Sequence, residues 1–115
     1  MNIEEIRKYC ADKKGVTEGF PFDESTLVFK VGGKMFALLS LEGNNTINLK
    51  CNPERANELR ERYDFITGGY HMNKKHWNTV EFIKSPEKLI KELIDHSYEL
   101  IFNNLPKKIK DDIST

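Results

Sequence analysis

What this sequence lacks narrows its possible roles before anything in it is read positively. Two cysteines, Cys10 and Cys51, are present in 115 residues, and they form no Cys-x-x-Cys. A disulfide framework or a zinc ribbon needs more, so both thiols are expected to be free in a reducing cytosol. Long apolar runs are also missing. The longest, Met35 to Leu39, falls far short of the roughly 18–20 residues of a membrane-spanning helix. The stretch Met1 to Lys14 is charged and has no apolar h-region, so it does not read as a signal peptide.

There is no excess charge of either sign. The 18 basic residues balance 18 acidic ones, with 7 against 7 over residues 1–50, 6 against 5 over 51–84 and 5 against 6 over 85–115. That excludes a basic arm binding nucleic acid by bulk charge, and it excludes an acidic solvating tail. Neither a Gly-x-x-x-x-Gly-Lys nor a Gly-x-Gly-x-x-Gly pattern occurs, so no phosphate loop is expected. The expectation is one cytoplasmic, monomeric domain over residues 1–115, without membrane contact, with residues 107–115 as a frayed tail.

The residues that are present alternate between helical and strand patterns. Residues 3–13 read as a helix, with Ile3, Ile6 and either Tyr9 or Cys10 at helical spacing, and Gly15 stops it. Two rings, Phe20 and Phe22, sit in the loop before Thr26 and are expected to pin it across the core. Thr26–Val31 and Lys34–Leu41 flank Gly32-Gly33, a two-residue hairpin turn. An unbroken register pairs Val31 with Lys34, Phe29 with Phe36 and Leu27 with Leu38. Ile47–Cys51 makes a third strand. Asn52-Pro53 opens a helix whose buried stripe is Ala56, Leu59 and Tyr63. After a loop over 64–76, Trp77–Ile83 returns to strand character. Ser85-Pro86-Glu87 caps a last helix with a wide apolar face from Leu89 to Phe102. The order helix, three strands, helix, strand, helix points to an α+β two-layer sandwich, a mostly antiparallel β-sheet with helices packed on one face.

Chemistry concentrates between Gly69 and Thr79, in Tyr70, His71, Asn73, Lys74, Lys75, His76 and Trp77. Lysines neutralise phosphates, an indole or phenol stacks on bases, and amides donate to bases or phosphate oxygens. An ordered loop capping strand ends would use the same residue types. His71-x4-His76 supplies too few ligands for zinc, and no cysteine lies near it in sequence. His96 on the last helix reads as a satisfied helix-face residue. Asp95-His96-Ser97 has the letters of a catalytic triad, but adjacent helix positions point in different directions. Cys10, at helical spacing with Ile6, reads as core. No metal, cofactor or catalytic site is expected, and the chain does not read as an enzyme.

Several stretches taken together resemble one family. Gly-Val-Thr-Glu-Gly-Phe-Pro-Phe (15–22), Thr-Leu-Val-Phe-Lys-Val-Gly-Gly-Lys-Met-Phe-Ala-Leu (26–38) and Asn-Leu-Lys-Cys-Asn-Pro-Glu-Arg-Ala (48–56) resemble the MmcQ/YjbR family. So do Tyr-His-Met-Asn-Lys-Lys-His-Trp-Asn-Thr-Val (70–80), Asp-His-Ser-Tyr (95–98) and Leu-Pro-Lys-Lys (105–108), in order along nearly the whole chain. The resemblance implies a CyaY-like, double-wing α+β fold in a small bacterial cytoplasmic protein, and a DNA-binding role that rests on fold comparison. Frataxin-type iron binding is the rival such a fold raises. Here Glu4, Glu5 and Asp12 are interrupted by Arg7, Lys8, Lys13 and Lys14, which opposes a hard-cation site.

Three functional readings follow. The first is a nucleic-acid-binding module using Lys74, Lys75, His76 and Trp77, with Lys34 at the hairpin tip and support from Lys30 and Lys50; zero net charge opposes it. The second is a protein-interaction or regulatory domain that uses the 70–79 segment. The third is a small-molecule or anion-binding protein in which His71 and His76 titrate.

Overall fold

The structure, a computed structural model, describes residues 1–69 and 72–114. Tyr70 and His71 of the candidate segment, and Thr115, lie outside the described residues. The elements in chain order are α1 (Ile3–Ala11), β1 (Val16–Gly19), β2 (Thr26–Val31), β3 (Lys34–Ser40), β4 (Thr46–Lys50), α2 (Pro53–Arg62), β5 (Ile66–Gly68), β6 (Trp77–Glu81), α3 (Glu87–Asn103) and α4 (Lys107–Ser114). Among the described residues the six strands form one antiparallel sheet in the order β1-β2-β3-β4-β6-β5. No helix among them is long and apolar enough to cross a membrane.

Local chemistry accounts for most boundaries. Asn2 and Glu5 form a reciprocal capping box on α1, and the Asn52 carboxamide caps α2 by accepting from Glu54 and Arg55, with Pro53 in the first turn. The start of α3 differs from expectation: Pro86 is its N-cap, without a side-chain cap, and the Ser85 hydroxyl donates to the Pro86 carbonyl instead. Gly32 and Gly33 both hold positive φ, 58° and 80°, which a two-residue hairpin of this twist requires.

The expected α+β two-layer architecture is what forms. Apolar residues of α1, α2 and α3 share one core with Leu27, Phe29, Val31, Phe36, Leu39, Ile47, Leu49, Ile66 and Val80, so these helices cover one face of the sheet. Strand alternation turns Thr46, Asn48 and Lys50 of β4, and Trp77, Thr79 and Glu81 of β6, to the opposite, open face.

Four expectations are corrected. The hairpin register holds only at its tip: Val31 faces Lys34 and Lys30 faces Met35, but Phe29 faces Ala37 and Leu27 faces Leu39. Phe36 is the extra residue of a β-bulge, which lets Phe36, Ala37 and Leu39 all reach the core. The Phe20–Phe22 stretch is not pinned across the core. Phe20 is 52% exposed and Phe22 64% exposed, with Phe20 in a cleft beside α1 and Phe22 in a cleft over the open face. The segment expected to fray is α4, whose Ile109 and Ile113 pack against the core, while Leu105 and Ile109 lie close over Gly32. Finally, Val16–Gly19 and Ile66–Gly68, read as loop, are short strands that extend both edges of the sheet.

Candidate nucleic-acid interface

One end of the open face gathers residues that are distant in sequence. Strand direction brings the β2–β3 hairpin, the C-terminal end of β4 and the N-terminal end of β6 to the same edge. Lys30 faces Met35 across β2 and β3, and Lys50 faces Trp77 across β4 and β6. Met35 and Lys50 both lie just beyond the last β3–β4 pair, Ala37 with Leu49, so with strands about 4.8 Å apart the two pairs form an approximate row near the end of the sheet. Lys34 stands exposed at the hairpin tip, but it pairs with Val31, a core-side position, and so is set off from that row.

The loop before β6 is held by its backbone. Gly69 N–H donates to the Trp77 carbonyl at 2.9 Å, and Cys51 N–H donates to the His76 carbonyl at 2.8 Å. The Asn73 carbonyl accepts from His76 (3.1 Å) and Trp77 (2.9 Å), and its side-chain oxygen accepts from Lys75 N–H at 2.9 Å, a local turn typical of asparagine. The Arg60 guanidinium of α2 donates to the Lys74 carbonyl at 2.9 Å and to the Asn57 side chain. At Gly69 an added Cβ would come within 2.9 Å of the Trp77 Cβ, so the loop can fold this closely only with glycine there. Arg60 is an anchor that the sequence did not single out; it lies on a helix face and far from the loop in the chain.

With the backbone so fixed, Asn73, Lys74 and Lys75 are exposed, and His76 and Trp77 are half-buried. Five cations elsewhere pair with acids: Arg7 with Glu18, Lys8 with Asp12, Lys13 with Asp95, Lys84 with Glu81 and Lys91 with Glu87. Among the described residues Lys30, Lys34, Lys50, Lys74 and Lys75 enter no ion pair. A chain of zero net charge thus still gathers five lysines outside any of these ion pairs at one end of its sheet.

The Asp95-His96-Ser97-Tyr98 segment of α3 shows the opposite arrangement. Asp95 accepts from the Tyr9 hydroxyl at 2.7 Å and pairs with Lys13. His96 Nε2 accepts from Asn52 N–H at 3.2 Å, and burial, helped by Arg55, holds its imidazole below the ordinary value. The buried Ser97 hydroxyl accepts from Lys50 N–H at 2.9 Å and donates to the Phe36 carbonyl, bridging β3 and β4 just beyond their last pair, Ala37 with Leu49. Tyr98 donates to the Lys14 carbonyl. The four side chains share none of their six partners and assemble no triad. Burial pushes the Cys10 thiol up to about 12, which fits a core role and not a nucleophile. Among the described residues no group of three or more His, Cys, Asp or Glu is placed to hold a metal.

Comparison with known proteins gives one family. The YjbR family model matches residues 11–100. The chain is 34% identical over 110 residues to the uncharacterized protein YjbR of Escherichia coli, covering 94% of this chain and 93% of that one. It is 43% identical over 93 residues to the uncharacterized protein YbdF of Escherichia coli, covering 77% and 75%. Among solved structures, the Deinococcus radiodurans protein DR2400, described as a DUF419 domain, superposes with a TM-score of 0.90 at 36% identity over 98% of this chain and 88% of that one. A Pseudomonas syringae protein superposes with a TM-score of 0.75 at 32% identity, covering 88% and 99%.

Proposed function

The chain belongs to the YjbR family, and we propose that in this member the hairpin end of the open sheet face binds nucleic acid through its phosphate backbone. The observation that carries this reading is the gathering of Lys30, Lys34, Lys50, Lys74 and Lys75, none of them in an ion pair among the described residues, at the end of the sheet that carries Trp77. Lys74 and Lys75 project from a stretch, residues 72–77, whose backbone is held by hydrogen bonds, so little ordering is lost when they meet phosphates. Lys30 and Lys50 give the strand a second contact, and Trp77 offers a ring beside Lys50. Binding of this kind is modest in affinity and steep in salt, each phosphate contact contributing roughly 0.7–0.9 to the salt slope. The test is titration of the full chain with short single- and double-stranded DNA at two salt concentrations, read by Trp77 fluorescence and ligand anisotropy. A salt-dependent quench supports the reading, and no binding at low salt sinks it.

A second reading, a protein partner, is favoured by a different place from the 70–79 segment. Phe20 and Leu41, both substantially exposed, line a mostly apolar cleft of about 530 Å³ beside α1, with the Arg7–Glu18 pair at its edge. Exposed rings around a concave apolar surface are a common protein-contact feature. Nuclease-insensitive co-purification of one protein, abolished by Phe20→Ser, would favour it.

A further inference from the structure

The open face carries a second concavity next to the basic row. It is a cleft of about 630 Å³ with a mixed floor, on which Thr26, Ser40, Thr46 and Asn48 stand around Leu38 on neighbouring strands. Phe22 and Met72 form walls, and Asp23 and Glu42 lie at the edge. Among the described residues no cation lines it, which argues against a phosphate site, and its hydroxyls, amides and carboxylates set it apart from a purely apolar groove.

A flat ring system with hydrogen-bonding edges suits such a surface. The 64% exposed Phe22 offers an aromatic face, and Met72 offers a polarizable one. Asn48 accepts from the Thr79 hydroxyl through its side-chain oxygen, which leaves its NH₂ group to donate to a ligand. The Thr46 hydroxyl donates or accepts, and the carboxylates of Asp23 and Glu42 accept from amino or hydroxyl groups.

Spacing ties the cleft to the row beside it. Lys50 follows Asn48 by two residues on the same face of β4, about 6.6 Å along the strand, and Trp77 precedes Thr79 by the same interval on β6. This is comparable with the reach from a nucleobase across its sugar to the phosphate.

We propose that the cleft takes the unpaired base of a nucleotide unit while its phosphate turns toward Lys50. The proposal rests on the nucleic-acid reading and sharpens it: the sheet selects single-stranded over duplex nucleic acid, because a paired base cannot enter. The same chemistry is offered by a free mononucleotide and by a nucleotide within a strand, and the experiment separates the two.

The full chain is titrated at low salt with a fluorescein-labelled single strand of about twelve nucleotides, the same strand annealed to its complement, and the same strand carrying abasic sites. Unlabelled mononucleotides serve as competitors and, by isothermal titration calorimetry, as ligands in their own right. The intact strand is expected to bind about tenfold more tightly than the abasic strand or the duplex. Phe22→Ala, a change at an exposed ring, is expected to remove most of that difference and to leave abasic and duplex binding unchanged. Equal affinity for intact and abasic strands, or an intact-strand affinity indifferent to Phe22→Ala, overturns the base cleft; a loss with Lys50→Ala in that case leaves the phosphate reading standing. Mononucleotide binding that depends on Phe22, without strand binding, keeps the cleft with a free nucleotide as occupant and overturns the nucleic-acid reading. Failure of every probe overturns both.

Discussion

Two polar stretches of this chain look alike in composition and are used in opposite ways. Asp95 to Tyr98 on α3 and Asn73 to Trp77 before β6 both mix charge, imidazole, amide or hydroxyl, and ring. In the first, each side chain is bound by a different part of the protein: Tyr9 and Lys13, Asn52, the β3–β4 gap, and Lys14. In the second, the main chain is bound and the lysine side chains are left to solvent. The difference separates residues that hold the fold from residues the fold holds out. A mixture of functional groups is therefore weak information until their partners are known; four satisfied side chains on one helix leave nothing over for a ligand.

The comparison predicts where substitutions act. The largest effect is expected from Ser97→Ala, which strands the Phe36 carbonyl and the Lys50 N–H in a buried gap. A loss of about 3 kcal/mol should appear as a lower urea midpoint. Lys74→Ala with Lys75→Ala should do the reverse, changing stability by no more than about 0.5 kcal/mol while lowering DNA affinity and reducing the salt slope by about 1.5. A large drop in melting temperature for that pair would break the contrast. Arg60→Ala tests the anchor between the two cases: a DNA affinity reduced severalfold, with the lysines intact, would show that loop order matters as well as charge.

The smallest effect concerns pH. His96 accepts a backbone N–H only when neutral, and its imidazole lies below the usual value of about 6.5 in the folded chain. The unfolded chain therefore binds the proton more readily. The stabilising contribution is full above the unfolded value and is lost as pH falls through the lower folded one. Urea midpoints at neutral and mildly acid pH should show a slope that flattens in His96→Ala. An unchanged slope would remove His96 from the set of structural contacts.

Much of the fold was legible because its signals are local. The Gly32-Gly33 turn, the Asn52-Pro53 start of α2 and the apolar face of α3 depend on residues within a few positions of one another. The hairpin register was not, for a physical reason. Met35 to Leu39 is apolar without alternation, so the pattern cannot say which residues face inward, and the bulge at Phe36 is secured by Ser97, sixty-one positions away. The helix α4 does carry its signal, Ile109 and Ile113 one turn apart, though polar neighbours outnumber them. The exposure of Phe20 and Phe22 was not legible, since an aromatic ring marks a candidate for burial and not its certainty. Of the candidate site, Lys74, Lys75 and Trp77 could be read from adjacency. The row through Lys30 and Lys50 becomes visible only with the strand order β2-β3-β4-β6.

The Ser97 bridge has a consequence for watching this protein move. The Lys50 amide donates to a hydroxyl carried on α3 and not to a neighbouring strand, so its exchange with deuterated solvent reports separation of helix from sheet. The next amide, that of Cys51 just past β4, donates to the His76 carbonyl and so reports separation within the sheet layer instead. One position on the open face's basic row thus serves as a built-in probe of whether the two layers part before the sheet does.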